Sequence, residues 1–326
     1  NLPGSIHLYT QMVVKSAKLL FGFLMVGGGW FLMNHFLDPN YASQKEILSA
    51  LWCISGVSST LIGIGLLIST HGEDFQKGLF WFRIKERWHW PQYIYMLIGA
   101  LFLAIGTGSV IGAIFVSRKY NGNFGFMAVT LTLTAPICVI GDKMADIYLK
   151  LRVYNYVGAV LVTAIVFVNA FVKNDDNIQQ GYYFALVAAG GLGLGLYSFN
   201  HSRSAAFPAS IMLTVSGVVQ IVVALIVEIP VIVTGQMSDS VLVTIGIFGI
   251  VFGLTNFVMV GLFPAWINRT GLAAILLIPA IILTDYLEHR GDWDWIHFAL
   301  SMGALAANML CFCRTRLQKR SMEEPI

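Results

Sequence analysis

Amides, hydroxyls and a few acids stand inside long apolar runs of this chain. In hydrocarbon an unsatisfied polar group costs several kcal/mol, so each must bond a neighbouring helix or a ligand. Asn256 is the strongest of them, an amide set in the apolar stretch Val251–Val260. Asn34, Thr107, Thr134, Tyr197 and Asn200 are hydrogen-bonding groups of the same kind, and Trp30 offers an aromatic face. Together they form a candidate binding set for a small polar solute, with interhelical bonding as the competing reading for each residue. The acids imply different chemistry. Glu228, just before Pro230, is the deepest carboxylate, and Asp142 and Asp285 stand at helix ends, so these three are the candidates for proton or ion coupling. No Ser/His/Asp arrangement, histidine cluster or phosphate-cradling loop occurs at a workable spacing, so the expectation is no enzyme, no cofactor and no metal. The glycine run Gly190–Gly195 lies inside an apolar stretch with no strand before it, and reads as a packing surface.

The elements that must hold these residues are spans of roughly 20 apolar residues, the length that crosses a bilayer. Ten of them are read, near 12–36, 48–70, 93–116, 123–141, 153–172, 181–199, 209–234, 240–263, 271–287 and 296–313. Of the 20 lysines and arginines, all but Lys45, Arg118, Lys119, Lys173 and Arg290 fall in the N-terminus, the even-numbered connections and the C-terminal tail. That bias sets both termini in the cytoplasm. Apolar residues make up 57% of the chain and charged residues 11%, against about 25% charged in a soluble domain. The spans leave no room for a soluble domain. The net charge of +3 follows from the loop bias and does not point to nucleic acid. The longest connection, near His71–Gln92, mixes aromatics with bases and reads as an interfacial anchor.

A repeat lies within the ten spans. The fourth carries Pro136 and, six residues on, Asp142; the ninth carries Pro279 and, at the same spacing, Asp285. The first and sixth both hold glycine clusters and finish near an asparagine, Asn34 and Asn200. Five spans per copy is an odd number, so the second copy enters the membrane from the opposite side. The expected fold is therefore an all-α membrane protein, ten transmembrane helices arranged as two inverted five-helix repeats. Residues 1–176 form the first and residues 177–326 the second.

The segment Thr134-Ala135-Pro136 to Asp142, followed by Tyr156-Val157-Gly158-Ala159, resembles the drug/metabolite transporter superfamily, specifically its EamA-like ten-helix members. So does the segment Pro279 to Asp285, followed by Met302-Gly303-Ala304-Leu305. The chain departs from that pattern in having Asp142-Lys143 and Asp285-Tyr286 where the family has glutamate beside a base, and in its long connection around His71–Gln92. The resemblance implies a transporter of small polar metabolites by alternating access, with a cavity between the halves lined by the first, third, fourth, sixth, eighth and ninth helices. Its partners would be a small-molecule substrate and the lipid bilayer, and its site the plasma membrane. Two other readings share the architecture: a nucleotide-sugar or organic-phosphate exchanger, and a non-transporting membrane scaffold or assembly subunit.

Overall fold

A run of apolar residues buries its backbone polar groups most economically as a helix, because every bond is then made within the segment. The computed structural model describes residues 45–70, 90–119, 129–145, 151–172, 176–204, 209–227 and 295–312, with single positions and short runs between 13 and 28, 72 and 73, 243 and 251, and 279 and 287. Seven helices have bounds among the described residues: α1 (Lys45–Ser69), α2 (Trp90–Lys119), α3 (Thr134–Ala145), α4 (Val153–Val172), α5 (Asp176–Ser204), α6 (Ala209–Val227) and α7 (Trp295–Phe312). They fall on the second to seventh and the tenth of the expected spans. No strand occurs among the described residues.

Among the described residues four helices contain stretches long and apolar enough to cross a membrane: Ser49–Ser69, Ile94–Ala113, Val153–Phe171 and Ser210–Val227. Shorter apolar stretches, Tyr182–Gly195 and Phe298–Cys311, lie in α5 and α7. Large apolar side chains point outward along these helices, among them Ile68, Val160, Phe171 and Ile226. Water would penalise that surface; lipid tails do not. The described residues are thus all helical, with the surface of a membrane protein.

Helix pairs hold the fold together: α2 against α5, α1 against α6, and α4 against α7, with α3 packed on α5, α4 and α7. Without a hydrophobic drive between helices in lipid, close approach depends on small residues. At the α1–α6 crossing a Cβ added to Gly56 would lie 2.8 Å from the Gly217 carbonyl oxygen, and one added to Gly217 would lie 2.6 Å from the Gly56 carbonyl oxygen. Gly63 in turn meets Ser210 and Thr214, so residue numbers rise along α1 as they fall along α6, and the two helices run antiparallel. The α2–α5 pair crosses in the same manner, Gly106 against Gly191 and Leu192, Gly195 against Leu103. Of the glycine run read from sequence as a packing surface, Gly191, Gly193 and Gly195 do pack, while a Cβ on Gly190 would meet nothing within 4 Å. The main core gathers Leu51, Trp52, Ile111, Ala188 and Phe248; a second core of Val139, Val162, Val166, Ala304 and Ala307 lies between α3, α4 and α7.

One element departs from expectation. The fourth span is read as a continuous helix over 123–141, whereas the described chain is helical over 129–131, turns at Thr132 and Leu133, and resumes as α3. Pro136 is the cause. It has no N–H to give to the carbonyl of Thr132, and its ring crowds that carbonyl. The backbone tightens instead, with Thr132 N donating to Val129 O (3.1 Å), Leu133 N to Thr130 O (3.1 Å) and Ala135 N to Thr132 O (3.0 Å). Regular bonding returns with Ile137 N to Leu133 O at 3.4 Å.

Candidate functional site

The break in α3 changes what its threonines can do. A threonine in a regular helix usually returns its hydroxyl to the carbonyl one turn back. Thr60, Thr107, Thr163 and Thr214 all do so, to Gly56, Leu103, Ala159 and Ser210, at 2.8–2.9 Å. For Thr134 that carbonyl belongs to Thr130, and among the described residues the Thr134 hydroxyl makes no such bond to it. Thr134 is 6% exposed. Its hydroxyl can thus either donate to or accept from a ligand. Thr107 is equally enclosed, but its proton is committed to Leu103, so it can only accept.

Both threonines are carried on helices that pack on α5. Gly106, next to Thr107, packs on Gly191 and Leu192; Ile137, one turn beyond Thr134, packs with its side chain 3.2 Å from where a Cβ on Gly193 would be. A threonine three residues before Ile137 shares its helix face. Gly106 beside Thr107 and Ile137 one turn from Thr134 thus both pack on the glycine ridge of α5. Tyr197 and Asn200 fall further along that same helix, and Asp142 falls in the last turn of α3. Trp30, Asn34, Asn256, Glu228 and Asp285 lie outside the described residues.

On its opposite side α3 meets α7. There Asn308, 1% exposed, donates from Nδ2 to the Thr132 carbonyl oxygen at 3.4 Å, an oxygen that also accepts the Ala135 N–H at 3.0 Å. The Asn308 Oδ1 is buried with no hydrogen-bond partner among the described residues, as is the Ser301 Oγ two turns earlier on α7. Asn155 is the counterexample. Its Nδ2 donates to the carbonyls of Leu310 (3.1 Å) and Cys311 (2.9 Å), and its Oδ1 accepts from Arg152 N (3.0 Å). One fully used amide thus closes the start of α4 and the end of α7, where helical carbonyls would otherwise be orphaned.

A further polar tie links α1 and α6. Gln220, 3% exposed, donates from Nε2 to the Trp52 carbonyl oxygen at 3.1 Å and contacts the Ser55 hydroxyl. It is a structural bond between helices. Trp52 packs its indole on Gly108 of α2, one residue from Thr107, and its Nε1 is buried without a partner among the described residues. Sequence reasoning passed over Trp52, Asn155 and Asn308. A tryptophan or asparagine in a span has no local mark of function; only the buried, unpaired atom or the cross-helix partner singles it out. Among the described residues the buried polar side chains are serine, threonine, asparagine and glutamine, an uncharged hydrogen-bonding set.

No family model matches this chain, and no curated protein is similar to it. A solved chain described only as a crystal structure of a protein aligns over 90% of this chain and 98% of its own, at 16% identity and a TM-score of 0.48. A likeness that remote says nothing of function.

Proposed function

We propose that this protein is a ten-helix membrane transporter built from two inverted five-helix halves, moving a small polar metabolite by alternating access. The observation that carries the reading is the reciprocal register of its helix pairs. A two-fold axis in the membrane plane that exchanges the halves must bring the helices nearest to it against their own counterparts, antiparallel. The second and seventh expected spans are α1 and α6; the fifth and tenth are α4 and α7. Both counterpart pairs are in contact.

Residues match as well as helices. Ser55-Gly56-Val57 of α1 recurs as Ser216-Gly217-Val218 of α6, and the two glycines meet at the crossing. At the same offset Ser55 Oγ donates to Trp52 O (2.8 Å) and Ser216 Oγ to Leu213 O (3.1 Å). In the other pair a Cβ on Gly158 would lie 3.0 Å from Leu310, and one on Gly303 would lie 3.5 Å from Ile165. The residues these two glycines meet, Leu310 and Ile165, are separated along the chain by the same number of positions as the glycines themselves. Such reciprocity supports an inverted repeat, and an inverted repeat supports alternating access.

Under this reading both termini are cytoplasmic and the plasma membrane is the site of action. Thr134, with its uncommitted hydroxyl, contacts substrate together with Thr107 as acceptor; Trp30, Asn34, Tyr197, Asn200 and Asn256 complete the polar lining. Glu228, Asp142 and Asp285 are the coupling candidates. An uncharged lining favours a neutral or zwitterionic solute over an organic phosphate. The test is thermal stability of the purified protein against amino acids, sugars, nucleotide sugars, organic phosphates and amines. A ligand at about 100 times its Kd stabilises by about 2.7 kcal/mol, and a shift within one chemical class, followed by counterflow in liposomes, names the substrate. A flat response in folded protein would overturn the reading in favour of a scaffold.

A further inference from the structure

We infer that Trp52 is a substrate contact: its indole N–H binds the carboxylate of a zwitterionic amino acid, whose ammonium group is taken by the Thr107 hydroxyl oxygen. The inference rests on the transporter reading and deepens it, naming a class of solute and a residue outside the expected lining helices.

Trp52 is 8% exposed, and its Nε1 is buried with no hydrogen-bond partner among the described residues. A buried indole N–H ordinarily finds an acceptor, because it has given up the one that water supplied. Trp52 differs here from the unpaired oxygens of α7, Ser301 Oγ and Asn308 Oδ1. Each of those residues has a donor that can be used, whereas an indole nitrogen can do nothing but donate. The chain also leaves room for the ring. A Cβ on Gly108 of α2 would lie 2.7 Å from Cε2 and 2.8 Å from Cζ2, the ring carbons on the N–H side of the indole. Cε2 is bonded to Nε1, so the donor end of the ring lies by α2, at the position next to Thr107.

Around Trp52 three other spans converge, two of them from the second half. The third span, α2, contributes Gly108; the seventh, α6, reaches the Trp52 carbonyl oxygen through Gln220 Nε2 at 3.1 Å. The eighth sets Gly249 against Ile54, two residues along α1, and brings Ile245 and Phe248 into the same core. Transporters built from inverted repeats hold their solutes at such a junction. The two polar groups there have fixed and opposite characters. Nε1 only donates, and Thr107 Oγ1, whose proton goes to the Leu103 carbonyl at 2.8 Å, only accepts. A sugar hydroxyl does both and needs no such division. A protonated amine has no acceptor for Nε1, and a phosphate brings charge to a place where no buried basic side chain stands among the described residues. An amino acid carries its carboxylate and its ammonium on one carbon with no net charge, and an ionised acceptor makes the stronger bond to an N–H.

The experiment removes the N–H and keeps the ring. In the full chain Trp52 is replaced by benzothienylalanine, which puts sulfur at the position of Nε1, and in parallel a Trp52→Phe variant is made. Melting of the purified proteins is followed against the neutral L-amino acids, their decarboxylated amines, sugars and organic phosphates. Without solute the benzothienyl protein should melt no lower than wild type, since it has no unpaired donor to bury. The half-saturating concentration of an amino acid that stabilises wild type should rise about 10- to 100-fold in it, the worth of one hydrogen bond to a charged acceptor. Trp52→Phe should show the same rise, and the decarboxylated amine should stabilise none of the three proteins. Equal half-saturating concentrations in wild type and the benzothienyl protein would overturn the contact and leave the transporter reading standing. Stabilisation of wild type by sugars, amines or phosphates but by no amino acid would equally overturn it, as the carboxylate assignment would be wrong. A flat response of folded wild type to every probe would overturn the transporter reading, and the inference falls with it.

Discussion

Replacing Gly56 by alanine tests the reciprocal crossing on which the inverted repeat leans. The added Cβ would stand 2.8 Å from the Gly217 carbonyl oxygen and 3.0 Å from the Ile221 amide nitrogen, both backbone atoms that no rotamer change can move. Ordinary contact begins near 3.4 Å, so α1 and α6 must separate by roughly half an ångström or more at their closest point. Overpacking of this kind costs about 1–3 kcal/mol. Separation also stretches the Gln220 bond to the Trp52 carbonyl, now 3.1 Å, and an interhelical bond in a membrane contributes about 0.6 kcal/mol. The sum is a loss of roughly 2–3 kcal/mol, a large share of a typical folding free energy of about 5–15 kcal/mol. At about 2 °C per kcal/mol for a chain of this size, the melting temperature should fall by roughly 4–6 °C. Gly65→Ala on the same helix is the control, since a Cβ there meets nothing within 4 Å; relief of glycine's backbone freedom should leave it level or slightly stabilised, by about 0.5–1 kcal/mol. The assay is fluorescence-detected melting of both variants in one detergent. If Gly56→Ala and Gly65→Ala melt within a degree of each other, the crossing is not as close as described, and the two-fold argument loses its centre.

Other consequences are checkable in the same preparation. Asn155→Ala should destabilise by about 1–3 kcal/mol, because the Leu310 and Cys311 carbonyls lose their donor, and hydrogen exchange should rise at the C-terminal end of α7; exchange unchanged there would contradict the cap. Gln220→Leu should cost about 1 kcal/mol and lower melting without altering solute affinity, a change in affinity counting against its structural role. Thr134→Val should weaken solute binding by about tenfold, one hydrogen bond's worth, whereas Thr107→Val should weaken it less, since its proton is already committed to Leu103; the reverse order in a binding titration would reassign the contact. Glu228→Gln should flatten the pH dependence of transport in liposomes, and a profile identical to wild type would remove Glu228 from the coupling set.

Much of the fold could be read along the chain because its causes are local. Apolar runs such as Ala209–Val227 must satisfy their own backbone, so they are helices wherever they end up. The glycines of α5 were legible as a close-packing surface for the same reason, a missing Cβ being visible in sequence. Thr134 was legible as a polar residue in a span, and Pro136 as a helix-disturbing residue, but their joint effect was not. Only the described geometry, in which the Thr134 hydroxyl makes no return bond to its own segment, leaves that hydroxyl uncommitted. Trp52, Asn155 and Asn308 left no local trace, because what distinguishes them is who stands opposite.

The sequence by itself therefore determined the helical class, the apolar outward surface and the small residues on which helices approach. Each follows from interactions within a turn or two of the chain. Tertiary structure decided the partners. Gln220 reaches a carbonyl 168 positions away and Asn308 one 176 positions away. A glycine stripe fits many helices and an amide fits many carbonyls, so neither residue type names its counterpart. The choice among them is made by which packing satisfies all the helices at once, and that condition is a property of the whole assembly, absent from any stretch of the chain read alone.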